Sequence, residues 1–103
     1  MTLSKDQIKA TKSEFADNLA LVNLSIKEVA KELNTSEKKI ERVLNLKQRS
    51  LNDGWILRNY LLKKVVELEK VPVPFTALVG DYHEYWFLDG KQIDSGILSK
   101  GDY

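Results

Sequence analysis

A chain of 103 residues, 43% of them hydrophobic, has the length of one domain and enough apolar content for one modest core. It has no cysteine, which excludes disulfides and thiolate metal sites, and no apolar run approaches the roughly 20 residues of a membrane helix. A net charge of +1 excludes a globally basic nucleic-acid binder, but the charge is uneven: residues 1–50 carry ten Lys/Arg against seven Asp/Glu, a balance of +3, and residues 51–103 carry six against eight, a balance of −2.

The opening stretch MTLSKDQIKATKSEF is charged and periodic, which predicts a cytoplasmic protein without a secretory leader. Ser4 followed by Gln7 spells a capping box, and Leu3 and Ile8 are placed to staple the first turn. The first helix is expected over about residues 5–20, with Ile8, Phe15 and Leu19 inward and Ala16 beside them. The device then repeats, with Ser25 and Glu28 as the box and Leu24 and Val29 as the staple. This second helix turns Val29, Ala30 and Leu33 inward and is short, because Asn34 and Thr35 interrupt it. Thr35 or Ser36 caps a third helix, whose inward residues are Ile40, Val43 and Leu44.

QRSLNDG is a loop by composition, and Asn52 or Asp53 is expected to start a fourth helix, WILRNYLLKKVVELEK. That helix has three apolar stripes: Leu57, Leu61, Val65 and Leu68; Trp55, Leu62 and Val66; Ile56 and Tyr60. A helix apolar this far round is covered on more than one side, either by the C-terminal segment or by a partner subunit. Pro72 and Pro74 end the helical pattern. Asp89-Gly90, between Tyr85–Leu88 and Lys91–Ile93, predicts a β-hairpin near residues 84–95. Two units follow: a helical part, 1–71, and an extension, 72–103, whose Pro-rich loop and β-ribbon pack on the fourth helix or a partner chain.

The stretch SIKEVAKELNTSEKKIERVL, residues 25–44, has the spacing of a corner between two helices. Ala30 leaves room for a crossing helix, and Asn34 is suited to a left-handed turn. Thr35 and Ser36 offer caps, and Leu33, Ile40 and Val43 meet inside the angle. These are the spacings of a helix-turn-helix. The expected fold is therefore mainly α: a four-helix, lambda-repressor-like helix-turn-helix domain with a small C-terminal β-hairpin. SKDQIKAT, the corner, WILRNYL and VPVPFTAL together resemble a small bacterial family of unknown function with helix-turn-helix character. The resemblance spans about residues 3–88, and PVPFT after WILRNYL is its most specific part. It implies an all-helical core and a bacterial cytosolic protein, and it brings no catalytic or binding residues with it.

In a helix-turn-helix the start of the second helix enters the major groove. Lys38 and Arg42 are then placed for guanine edges and Asn45 for adenine, while Lys27, Ser36 and Lys47 are placed for phosphates. Lys39 belongs to the same basic stretch, which Glu41 opposes. Glu37 and Glu41 weigh against a DNA reader, as does Ile26, where many repressors present a glutamine to the backbone. The expected function is a homodimeric DNA-binding regulator of transcription. Its partner is double-stranded DNA, and its pairing face comes from Trp55, Leu62, Val66 and the ribbon around Trp86. The alternative is a protein-interaction module of the same shape without DNA binding, antitoxin-like or an adaptor.

No enzyme is expected. His83 is the single histidine, flanked by Asp81, Tyr82 and Glu84, with neither a nucleophile to pair with nor further metal ligands. Tyr82, Tyr85, Trp86 and Phe87 are more economically read as packing aromatics than as base-stacking ones. The five glycines form no phosphate-cradling loop, so no cofactor is expected.

Overall fold

The computed structural model describes residues 4–47, 51–78, 83, 88 and 90–98. Within them lie five helices: α1 (Lys5–Val22), α2 (Ile26–Glu32), α3 (Glu37–Leu44), α4 (Leu51–Glu67) and α5 (Gly90–Ser95). Their starts follow local chemistry. Ser4 accepts the Gln7 N–H while the Gln7 side chain accepts the Ser4 N–H, and Ser25 and Glu28 do the same for α2. Leu3, half of the first expected staple, lies outside the described residues.

The helix ends share one device. Asn23, Asn34, Leu46 and Glu69 all have φ between 54° and 58°, the left-handed region, each just past a helix. At three of them the carbonyls of the last turn are taken by paired backbone bonds. Thr35 N–H donates to Ala30 O and Asn34 N–H to Lys31 O; Lys47 and Leu46 do likewise to Arg42 and Val43, and Lys70 and Glu69 to Val65 and Val66. None of the four positions is glycine. Asparagine tolerates this conformation through its short polar side chain, whereas leucine and glutamate are strained in it.

The core gathers Phe15, Val22, Val29, Ala30, Ile40, Val43, Trp55, Ile56, Leu57, Leu61, Val65, Phe75, Leu78, Ile93 and Leu98. Helix α4 is its axis, in contact with α1, α3 and α5. The cover expected for α4 is thus supplied largely within the chain, and it decides which stripes are internal. Trp55 is 4% exposed. Its ring lies under the Arg58 guanidinium at 5.1 Å. It is a core residue, which corrects its assignment to a pairing face. Leu62 and Tyr60 are half-buried against the core, and Val66 is exposed.

Helix α1 also departs from its expected face. Ala16 is exposed, and three polar residues, Thr11, Glu14 and Asn18, are buried instead. The reason lies in the segment after α4. Val73 sits between Pro72 and Pro74, which have no N–H, so it carries the backbone donor of that tripeptide. The Asn18 side chain satisfies both of its backbone groups: Oδ1 accepts the Val73 N–H at 2.9 Å, and Nδ2 donates to Val73 O at 3.0 Å. Three residues on, the Glu14 carboxylate accepts the Thr76 N–H at 3.1 Å and its hydroxyl at 2.8 Å. Between these ties Phe75 meets Phe15 edge-on, 5.3 Å between ring centres. Arg58 Nε donates to Leu78 O at 2.7 Å, closing the strap onto α4.

The hairpin is replaced in part by helix. Residues 90–95, which include its second arm Lys91–Ile93, form α5, and no strand occurs among the described residues. Three residues with one β-branched side chain are too few to impose a strand period. Helix α5 instead packs on α4 and buries Ile93, with Leu98 following it into the core. The first arm, including Trp86, lies outside the described residues apart from Leu88, which packs against the core.

Two stability measurements test this reading. Asn18→Leu removes both bonds to Val73, and stranding the Val73 groups should cost about 1–3 kcal/mol. A urea titration should show a lower midpoint with an unchanged slope, and an unchanged midpoint would dismiss the strap as a stabilising element. Glu69→Gly relieves a left-handed strain of about 1–2 kcal/mol against an unfolded-state entropy loss of about 0.5–1 kcal/mol. This exposed site should therefore become slightly more stable, and a melting temperature below wild type would contradict the strain argument.

Candidate nucleic-acid interface

The setting of α3 decides what it can offer a partner. Ser36 caps it, its Oγ accepting the Lys39 N–H at 3.1 Å. Ile40 and Val43 are buried, and successive residues step about 100° round the axis. Lys39 therefore falls on the inward arc beside Ile40. Its Nζ lies 2.9 Å from Asp53 Oδ2 in the first turn of α4, and both side chains are 0% exposed. Lys39 thus leaves the set of candidate DNA contacts. A basic stretch that is continuous in sequence is split by the helical period between surface and core. Asp53, for its part, lies inside α4, which begins at Leu51, and is not its cap.

Lys38, Glu41 and Asn45 lie within about 60° of one another on the opposite side of the helix, and all three are exposed. Glu37 is exposed at its start. The remaining candidates differ in how free they are. Arg42 is half-buried: its Nη2 donates to Lys47 O at 3.1 Å, and its Nε is buried without a hydrogen-bond partner. Asn45 Nδ2 donates to Glu41 O at 2.8 Å. Asn45 thus caps a carbonyl of the last turn of α3, and Arg42 ties the helix to the segment that follows it. Lys27 near the start of α2 and Lys47 beyond α3 have exposed side chains. Ser36 is half-buried, with its hydroxyl in the cap.

A second charged cluster, absent from the sequence reading, joins α2 to α4. Lys64 Nζ lies 2.9 Å from Glu32 Oε1 and 3.7 Å from Glu67 Oε2. The hydrogen bond with Lys64 holds the Glu32 carboxyl below its ordinary range, and the same bond raises Lys64. Burial, then the interaction with the Glu32 carboxylate, pushes the Tyr60 phenol well up. The signal for this cluster is distributed over two helices, so no local motif carries it.

His83 Nε2 lies 2.8 Å from Asp94 Oδ2, and the two side chains are about half-exposed. Among the described residues no three His, Cys, Asp or Glu side chains are grouped to hold a metal ion, and no helix is long and apolar enough to cross a membrane.

Residues 1–89 match a protein family described as "Uncharacterized protein conserved in bacteria (DUF2316)". The match ends before α5. No curated protein and no solved structure matches the chain.

The buried pair makes a sharp prediction. Lys39→Met alone or Asp53→Leu alone removes the ion partner of a buried charge and should cost about 3–5 kcal/mol, whereas the double substitution should recover most of the loss. A double-mutant cycle on chemical denaturation measures this directly. Additive losses would mean that the two charges are not coupled.

Proposed function

The chain belongs to this bacterial family, and we propose that it is a helix-turn-helix DNA-binding protein of lambda-repressor-like architecture, a small cytoplasmic regulator of transcription. The observation that carries the reading is the outward stripe of α3, Lys38–Glu41–Asn45, exposed on a helix held from behind by Ile40, Val43 and the Lys39–Asp53 pair. Left-handed Asn34 turns the chain between α2 and α3, and α2 packs against α3. Lys38 is the base-facing cation of the proposal, and Lys27 and Lys47 are its phosphate contacts. Arg42 joins them only by giving up its bond to Lys47 O.

The proposed assembly is a homodimer, because one short helix makes too few base contacts for specificity and a two-fold axis doubles them. With Trp55 internal, half-buried Leu62 and exposed Val66 are the candidates of the pairing face within the described residues. No catalytic role is assigned to the chain. A second reading has its own support: Val66 is 61% exposed, Leu68 50% and Val71 86% around the end of α4. Such apolar exposure suits a protein-docking module, antitoxin-like or an adaptor, that does not bind DNA.

The two readings separate on salt. Neutralising two phosphates per chain predicts a slope of log affinity on log salt of roughly −2 for one chain and about twice that for a dimer. Lys27→Ala and Lys47→Ala should each flatten the slope by about one unit per chain, and Lys38→Ala should weaken binding most on the preferred duplex. Fluorescence anisotropy on duplex DNA over a salt series makes the measurement. Binding indifferent to salt and to all three substitutions would leave the docking module as the better account.

A further inference from the structure

We propose that the outward edge of α3 selects G·C base pairs, with Lys38 on guanine and Glu41 on cytosine; this deepens the DNA-binding reading and rests on it. The argument begins with which side chains are already engaged. Asn45 is the natural reader of adenine on this helix, but its amide nitrogen donates to Glu41 O at 2.8 Å. Arg42 is the natural reader of guanine, but its Nη2 donates to Lys47 O at 3.1 Å and its Nε is buried. Asn45 turns to a base only by giving up its side-chain bond to Glu41 O, and Arg42 only by giving up its bond to Lys47 O beyond the helix. The exposed polar groups left on α3 are Glu37, Lys38 and Glu41.

These groups are chemically one-sided. A lysine ammonium only donates, and a carboxylate only accepts. Guanine offers the ammonium two neighbouring acceptors, O6 and N7, and cytosine offers the carboxylate the N4 amine. The adenine amine is also a donor, but acceptors flank it on both sides, N7 on its own ring and O4 of the paired thymine, and both repel a carboxylate. The cytosine amine has such a neighbour on one side only. Lys38 and Glu41 stand one helical turn apart on the same stripe, so one G·C pair or two adjacent ones can satisfy both together. Over the wrong pair Glu41 would be desolvated beside phosphates with no donor. Its presence on this face then works chiefly as a penalty against other sequences. On this account the carboxylate that weakens general DNA attraction is the group that confers selectivity.

The test uses a pool of short duplexes with a randomised centre, from which the intact protein retains a fraction that is sequenced. Wild type should enrich a G·C pair at the centre of each half-site. Replacing that pair by A·T should weaken binding about 5- to 150-fold, the range of one good base contact. Putting 7-deazaguanine in place of guanine should weaken wild type but leave Lys38→Ala unchanged. Glu41→Gln should admit adenine at the cytosine position, since an amide reads adenine. Glu41→Ala should bind all duplexes more tightly while losing discrimination. Circular dichroism melts should show both Glu41 variants folded, as expected for an exposed side chain. Lys38-dependent binding without preference between G·C and A·T would overturn this proposal and leave the DNA-binding reading standing. Absence of Lys38-dependent binding to any duplex would overturn both.

Discussion

The pairing of Lys39 with Asp53 is the constraint on which the arrangement of α3 depends. Ile40 and Val43 anchor the helix to the core, but dispersion and area burial change gradually as a helix rotates. A buried charge is less forgiving, because leaving it unpaired costs several kcal/mol, more than the fraction of one apolar side chain that a modest rotation would expose. With Nζ held 2.9 Å from Asp53, the rotation of α3 about its axis is set, and Lys38, Glu41 and Asn45 must face outward. The same pair ties the corner to α4, so whatever α3 meets is met by an element braced against the core.

Helix α4 is the element that the rest of the chain surrounds. Its inward stripe of Leu57, Leu61 and Val65 is fully buried, and its flanks are covered by α1, α3, α5 and the strap through Phe75 and Leu78. The strap is short of backbone donors because of its two prolines. A side-chain amide that can both donate and accept, Asn18, compensates, and Glu14 repeats the service at Thr76. Buried polar residues on α1 are therefore complements of a proline-rich segment 55 to 62 residues away in sequence. Where this wrapping ends, around Val66, Leu68 and Val71, apolar side chains remain exposed.

The charges outside the core divide by consequence. The Glu32–Lys64–Glu67 cluster lies partly in water, where such pairs contribute little to stability, and its role is to link α2 to α4. The α3 stripe has both signs in close succession, which makes it a weak attractor for a polyanion; in the proposed reading the same mixture serves discrimination. That balance agrees with a chain of net charge +1 better than a broad basic patch would.

The sequence by itself determined what depends on neighbours in the chain. Ser4 with Gln7, Ser25 with Glu28, the left-handed Asn34 and the cap at Ser36 are contests between a backbone group and a side chain within a few residues, and all four are present. The inward set Val29, Ala30, Ile40 and Val43 was legible for the same reason, since helical period alone assigns it. Only the tertiary structure decided the rest. Lys39 lies inside because an aspartate fourteen residues on meets it there, and Trp55 lies inside because Arg58 and the core close over it. Asn18 is buried because Val73 needs its amide, and Lys91–Ile93 is helical because α4 offers Ile93 a place. Apart from Arg58, which lies three residues from Trp55, the deciding partners are remote in sequence, and side-chain type alone does not reveal which remote group will be there.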